Sequence, residues 1–399
     1  MRRWFRNLSA LVAAGAVCVS VAMAATTAAA TAKSSKAPVD VWVFDDVGGG
    51  GSPTTEWYGA EVAVDQLNAS GGWAGHKVVL KRCSTENEAN LATACAQSAV
   101  ADKRSIAVVG DTILSAVTDP ILQAAKLPMV GSFYLTAPDG SSPISFPLDP
   151  AAEGASGALD PFYKAGHQSI TIVAGNSGQA STEFIQGTSA LMQIGTGHVL
   201  AGQVLIPPTA TDMSTYATQA AQAPSIYTAM AQPVEIAFMR AYFSAGGKAS
   251  NVVCIATACT PAFIKALGSA ANGIHLGLTA IPYSANTPAV KALLAATKKY
   301  VPSAPRDNEL ETGWSAVNLL TTALKGATKL SRSVVLSRMG HLKNASSGGL
   351  YPPYTSAVPF KGLGGAAPHL YNQDYIYGII KNGVQACIGT CKFVNPYNA

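Results

Sequence analysis

Charge is scarce in this sequence, with 12% of residues charged against 48% hydrophobic. That balance excludes a disordered chain. Histidines are few and scattered, at His76, His167, His198, His275, His341 and His369, and none falls in the HExxH pattern of a zinc hydrolase. No G-x-S-x-G nucleophile motif occurs; Gly175-Asn176-Ser177-Gly178 comes nearest and lacks the spacing of the second glycine. The glycine run Gly48 to Gly51 has neither the lysine of a phosphate loop nor dinucleotide-fingerprint spacing, and reads as a flexible loop. Asp45-Asp46 is a candidate catalytic pair or metal ligand, although adjacent acids after a strand more often cap a turn. No cofactor or metal is expected.

What is present begins with an export signal. Residues 1–32 carry Arg2, Arg3 and Arg6, then an uncharged apolar stretch with small-residue cleavage sites such as Ala22-Met23-Ala24. This is the pattern of a secretory signal peptide. An uncleaved anchor is the alternative, disfavoured by the Ala, Thr and Ser of its tail. Arg2-Arg3-Trp4-Phe5 matches a twin-arginine signal only in part, and ordinary secretion is preferred because disulfides do not form in a reducing cytosol. Cys18 is a candidate for lipidation, but Val17 stands where a small residue is expected. Cleavage takes 27 basic residues to 24 against 22 acidic ones, a net of +2, which gives no reason to expect nucleic acid. A periplasmic or cell-surface location follows, with or without a membrane tether.

A chain of 399 residues suits two lobes rather than one core. The stretch Ser105 to Pro138 reads as strand, turn, helix, strand, turn. Ile106 to Val109 is an apolar β-branched run ended by Gly110, typical of a strand buried on both faces of a parallel sheet. A helix is predicted from Ser115 toward Lys126, stopped by Pro128, after which Met129-Val130 resumes the sheet. Two parallel strands thus end in small polar turns, Gly110-Asp111-Thr112 and Gly131-Ser132, and open α/β sheets bind ligands beyond their carboxyl ends. Upstream, Val39 to Phe44 and Lys77 to Lys81 are strands flanking a helix that starts at Ser52-Pro53 and buries Trp57, Ala60, Val64 and Leu67. The same alternation recurs from Ser169 to Ile281, and Tyr371 to Ile380 followed by Lys381-Asn382-Gly383 signals a hairpin. Helices over Thr287 to Tyr300 and Glu309 to Lys325 are expected to complete the first lobe. The predicted division is residues 38–150 with 283–346 in one lobe and 151–282 with 347–399 in the other.

Six cysteines remain after the signal, an even set that in an exported chain means disulfides. Cys254 and Cys259 flank a short turn, as do Cys387 and Cys391. For Cys83 and Cys95, about 13 Å of extended chain to Asn87 and about 12 Å of helix back to Cys95 bring the sulfurs level if the helix starts near Asn87. Three local bridges are expected. No histidine lies at ligand spacing from these cysteines, which disfavours metal.

Trp57-Tyr58-Gly59, Asn68-Ala69-Ser70-Gly71-Gly72-Trp73-Ala74-Gly75 and Ala107-Val108-Val109-Gly110 together resemble the periplasmic-binding-protein family of the branched-chain amino acid type, the solute receptors of ABC transporters. The resemblance spans Val39 to Val394. It implies an α/β fold of two Rossmann-like lobes with parallel sheets, joined by a three-stranded hinge with a ligand cleft between them. It also implies a small-molecule ligand, a membrane permease as partner, no catalysis, and a monomer. By position it places Tyr58, Ser115, Phe133, Tyr134 and Thr136 in the first-lobe wall, and Asn176, Gln179, Met230, Gln232 and Glu235 at the second-lobe strand ends. The loop Asn176 to Ala180 carries no aromatic, Glu235 is offset by one residue from the usual acid, and Phe133 and Tyr134 stand where small residues are common.

From the residues themselves, Thr112, Ser115 and Thr136, with N–H groups at the helix start after Gly110, are the expected donors to a ligand carboxylate. Glu235 or Asp111 is the expected partner of an ammonium. An extracellular sensor and a secreted hydrolase are the alternative readings.

Overall fold

The computed structural model describes residues 36–46, 56–110, 112–134, 136–150, 159, 163, 166, 169–176, 178–361 and 365–395. The signal segment with Cys18, the tetraglycine loop, the Ser52-Pro53 helix start and Asp111 lie outside the described residues. The first sheet contains β1 (Lys36–Asp45), β2 (His76–Ser84), β3 (Ser105–Gly110), β4 (Met129–Val130) and β5 (Ser145–Phe146), all parallel, in the order β2-β1-β3-β4-β5. The second has β6 (Ile170–Gly175), β7 (Gly202–Ile206), β8 (Ser225–Ala229), β9 (Val252–Ile255) and β10 (His275–Leu278) in parallel, closed by the antiparallel pair β11 (Ile376–Lys381) and β12 (Val384–Cys387). These are the two lobes of an α/β fold with a cleft between them, as the sequence predicts. β3 is buried at every position, as its unbroken apolar run requires.

Helices connect the parallel strands. In the first lobe they are α1 (Glu56–Ala69), α2 (Ala89–Ala101), α3 (Ser115–Ala124) and the short α4 (Ala137–Ser141). In the second they are α5 (Gln179–Thr196), α6 (Ser214–Ala221), α7 (Gln232–Ser244) and α8 (Pro261–Leu267). The chain then returns, and α9 (Pro288–Tyr300), α10 (Asn308–Ala323) and α11 (Arg332–Met339) pack with the first sheet. On α1, Ala60 and Val64 are buried, with Trp57 and Leu67 half-buried against the same core. Helix α11 has no counterpart in the sequence reading. Its Arg332 donates to the carbonyls of Val100 (2.8 Å), Asp102 (2.9 Å) and Ser105 (3.0 Å), capping the end of α2 through a long-range contact that no local pattern reveals.

The packing of the segment after residue 346 links it to the first sheet. Leu350, Tyr351 and Tyr354 are buried in the core of the first lobe, and Phe360, Ala367 and Leu370 pack around Tyr134. His369 donates its N–H to the Gly140 carbonyl at 2.8 Å, and its ring stacks near Phe146 and Tyr371. The segment lacks helix or strand periodicity, so only its aromatic contacts decide which sheet it joins. The chain therefore crosses between sheets after β5, after β10 and before β11. These passages are bonded to one another: Thr279 donates to Asp149 (2.5 Å), Asn372 to the Leu148 carbonyl (2.5 Å), and Ile281 N–H to the Leu350 carbonyl (2.9 Å).

All three expected disulfides form: Cys83–Cys95, Cys254–Cys259 and Cys387–Cys391. Helix α2 begins at Ala89, two residues beyond Asn87, because Glu86 and Asn87 take positive φ and turn the chain within the connection. The Cα atoms of Cys83 and Cys95 consequently stand 5.6 Å apart. Replacing both of these cysteines by alanine is expected to lower unfolding free energy by about 2–4 kcal/mol, as for bridges closing loops of this length. Urea titration of the double variant checks it, and unchanged stability would contradict it.

Candidate functional site

β1, β3 and β4 run parallel, and the turns beyond their carboxyl ends are where an open α/β sheet binds ligands. Gly110 and Gly131 end β3 and β4 with φ of +81° and +88°. A Cβ at Gly131 would lie 2.3 Å from the Ala316 Cβ, and one at Gly110 2.7 Å from the Phe44 carbonyl oxygen, so the turns need glycine twice over. After Gly110, Asp46 holds the loop. Its Oδ2 accepts the Ile113 N–H (3.1 Å) and its Oδ1 the Thr85 hydroxyl, the turn-capping role its sequence suggests. Thr85 Oγ1 lies 3.1 Å from Thr112 Oγ1, which accepts the Leu114 N–H at 3.1 Å. The neighbouring Asp45 pairs instead with Arg82 at 2.6 Å.

After Gly131, Ser115 and Thr136 join the two loops, their hydroxyls 2.6 Å apart. Asp139 Oδ2 accepts both the Thr136 N–H (2.6 Å) and the Thr136 hydroxyl (3.0 Å) in a capping box that starts α4. Ser115 and Asp139 are fully buried. Burial, followed by the charge of Asp139, pushes the nearby Asp119 carboxyl up to about 7.

Among the other expected residues of this lobe, Tyr58 is half-buried against the core. Phe133 is half-buried beside the first passage between sheets, bridging to Asp149. Tyr134 is drawn into the satellite cluster of Phe360, Ala367 and Leu370, and its ring fills the space a side chain at Gly140 would need.

On the second lobe, Asn176 is exposed and its Oδ1 accepts the Gly178 N–H at 3.1 Å, closing the turn before Gln179 opens α5. Gln232 donates to Thr260, tying the loops after β8 and β9 together. Met230 is buried in the second-lobe core. Glu235 is also placed within that core. Its carboxyl is fully buried, with Oε1 3.9 Å from the Cys254 sulfur. Burial pushes this carboxyl up to about 8, offset in part by the Thr228 hydroxyl and the Met230 backbone. It is therefore mostly protonated at neutral pH. The structure brings Thr112, Ser115, Phe133 and Thr136 to one edge. It adds Thr85 and Asp139, which the sequence reading did not single out; the Thr136-x-x-Asp139 spacing is the local signal for the latter.

A family model described as "Periplasmic binding protein" matches residues 41–356, and the chain belongs to that family. Among solved structures it is similar to a fatty acid ABC transporter substrate-binding protein from Thermomonospora curvata, at 14% identity and a TM-score of 0.76, covering 90% of this chain and 94% of that one. It is similar also to a leucine binding protein from Thermotoga maritima MSB8, at 18% identity and a TM-score of 0.69, covering 90% of this chain and 100% of that one. A solute-binding protein of an ABC transporter from R. palustris in complex with benzoate matches at 15% identity and a TM-score of 0.70, covering 90% of this chain and 98% of that one. At these identities the likeness is one of fold. No curated protein matches the chain in sequence. Among the described residues, no helix is long and apolar enough to cross a membrane.

Proposed function

We propose that this chain is an extracytoplasmic receptor that closes its two lobes on a small organic ligand and delivers it to a membrane permease of the ABC type, without chemistry on the ligand. The single observation that carries the reading is the hinge. Two sheets present their strand ends to one cleft and are joined by three adjacent passages, tied by Thr279–Asp149 and Asn372–Leu148 hydrogen bonds. Short parallel connections of this kind let lobes rotate as rigid bodies about a few residues. On this reading the lobe boundaries move from those the sequence suggests, to 36–150 with 281–372 and 159–280 with 373–395.

Tyr58 and Phe133 on one side and Asn176 and Gln232 on the other are proposed to touch the ligand. Thr112, Ser115 and Thr136 form the first-lobe floor beneath it. Glu235, protonated inside the second-lobe core, supports that core and gives an ammonium group no surface partner. The relatives of like fold whose names mention a fatty acid, leucine or benzoate set the range of ligand bodies worth trying.

A thermal-shift panel tests the reading. It should hold amino acids, aromatic and aliphatic carboxylates, and the carboxamides and alcohols of matched carbon skeleton. A true ligand at 100 times its dissociation constant adds about 2.7 kcal/mol of stability and should raise the melting temperature by several degrees. A panel without a single shift, or turnover of a bound compound, would count against the receptor reading.

A further inference from the structure

Asp46 and Asp139 each end a chain of hydroxyls that starts at the first-lobe edge of the cleft. A hydroxyl has one proton to donate, and an ionised carboxylate can only accept. Thr85 gives its proton to Asp46 Oδ1, so across the 3.1 Å to Thr112 it is Thr112 that donates. Thr136 gives its proton to Asp139 Oδ2, so across the 2.6 Å to Ser115 it is Ser115 that donates. All three hydroxyls expected to hold a ligand carboxylate, those of Thr112, Ser115 and Thr136, have thus spent their protons inward.

The backbone donors follow the same course. The Ile113 N–H goes to Asp46 (3.1 Å), the Leu114 N–H to Thr112 (3.1 Å) and the Thr136 N–H to Asp139 (2.6 Å). N–H groups at a helix start are the usual cradle of an anion. Here that place is taken by a carboxyl group of the chain itself, and a carboxylate brought by a ligand would face lone pairs where it needs donors.

We propose that the first-lobe edge is an acceptor surface, selecting a neutral, hydrogen-bond-donating head group such as a carboxamide or an alcohol over the matching carboxylate. The proposal rests on the receptor reading above and narrows its ligand class. The two relays do the selecting because each aspartate fixes which way its neighbouring hydroxyls point.

Calorimetric titration of the full mature chain with benzamide against benzoate, and hexanamide against hexanoate, measures the preference. The neutral member of the better-bound pair should bind at least about tenfold more tightly, a ratio well above measurement error. Thr136→Val keeps the side-chain shape and releases the Ser115 proton, and Thr85→Val does the same for Thr112. Each should move the ratio about tenfold toward the carboxylate. Ser115→Ala should weaken the carboxamide without helping the carboxylate, and thermal melts establish that each variant is folded. A carboxylate as the tightest ligand of the wild-type chain, with a ratio that Thr136→Val leaves unchanged, overturns the proposal and leaves the receptor reading standing. Silence across both pairs and the whole thermal-shift panel overturns the receptor reading, and this proposal with it.

Discussion

Gly313→Ala is expected to cost more than about 3 kcal/mol of stability, beyond the usual range for overpacking a core. Helices α1 and α10 touch backbone to backbone at two glycines. A Cβ at Gly313 would lie 2.1 Å from the Glu56 carbonyl oxygen, and one at Gly59 2.2 Å from the Leu310 carbonyl oxygen and 2.7 Å from the Trp314 nitrogen. A flexible side chain could swing away from such a methyl group, but a helix backbone cannot without moving the whole helix. Separation of the two helices would loosen Ala60, Leu310, Trp314 and Val317, all buried in the first-lobe core. Gly187 in α5 is the control, because among the described residues nothing lies within 4 Å of a Cβ there. Gly187→Ala should be neutral or stabilising by up to about 1 kcal/mol through helix propensity. Urea unfolding of both variants decides the matter, and equal midpoints for the two would contradict the packing account.

Raising the pH from about 5 to about 8 is expected to weaken the fold, against the common trend for carboxylates in ion pairs. Glu235 has its pKa raised from 4.5 to about 8, chiefly by burial. Glu311 in α10 is pushed well above its usual value by burial and then by the charges of Asp307 and Asp149. Between the unfolded and folded pKa the native state holds the proton and the unfolded chain has lost it, so stability falls with rising pH. For Glu235 the contribution is fully present below about 4.5 and gone above about 8. For Glu235 alone the loss between pH 5 and pH 7 is about 3 kcal/mol at order of magnitude. Asp119, raised to about 7, acts in the same direction. His369, its pKa lowered by burial, acts in the opposite direction below about pH 6.5. Glu235→Gln and Glu311→Gln should each flatten the decline, as read from urea midpoints at several pH values. A decline equally steep in both variants would show that these carboxyls do not carry it.

Much of the site was legible because its parts are local. Gly110 and Gly131 mark strand ends in the sequence and sit there in the fold, and the run from Ile106 to Val109 could only be a strand covered on both faces. The cysteine pairs were legible for the same reason, being at most 12 residues apart. What could not be read was the direction in which side chains spend their hydrogen bonds. Ser115 and Thr136 read as donors to a ligand in the sequence, and only the fold places Asp139, brought beside them by the turn into α4, to accept the Thr136 hydroxyl. Glu235 likewise sits near the start of a helix that opens after a strand, and only the packing of β9 and its Cys254 over that helix encloses it.

By itself the sequence determined the two runs of βαβ units and the three short disulfide loops, since each depends on the period and spacing of neighbouring residues. The tertiary structure decided the rest. Leu350, Tyr351 and Tyr354 joined the first-lobe core, His369 stacked near Phe146 and Leu370 packed with Tyr134, and α1 met α10 at Gly59 and Gly313, whose sequence separation hides a contact made only when both helices lie on one sheet. The protonation of Glu235 and Glu311 was settled there too, because the cost of a charge depends on the water that folding removes and not on the residues beside it in the chain.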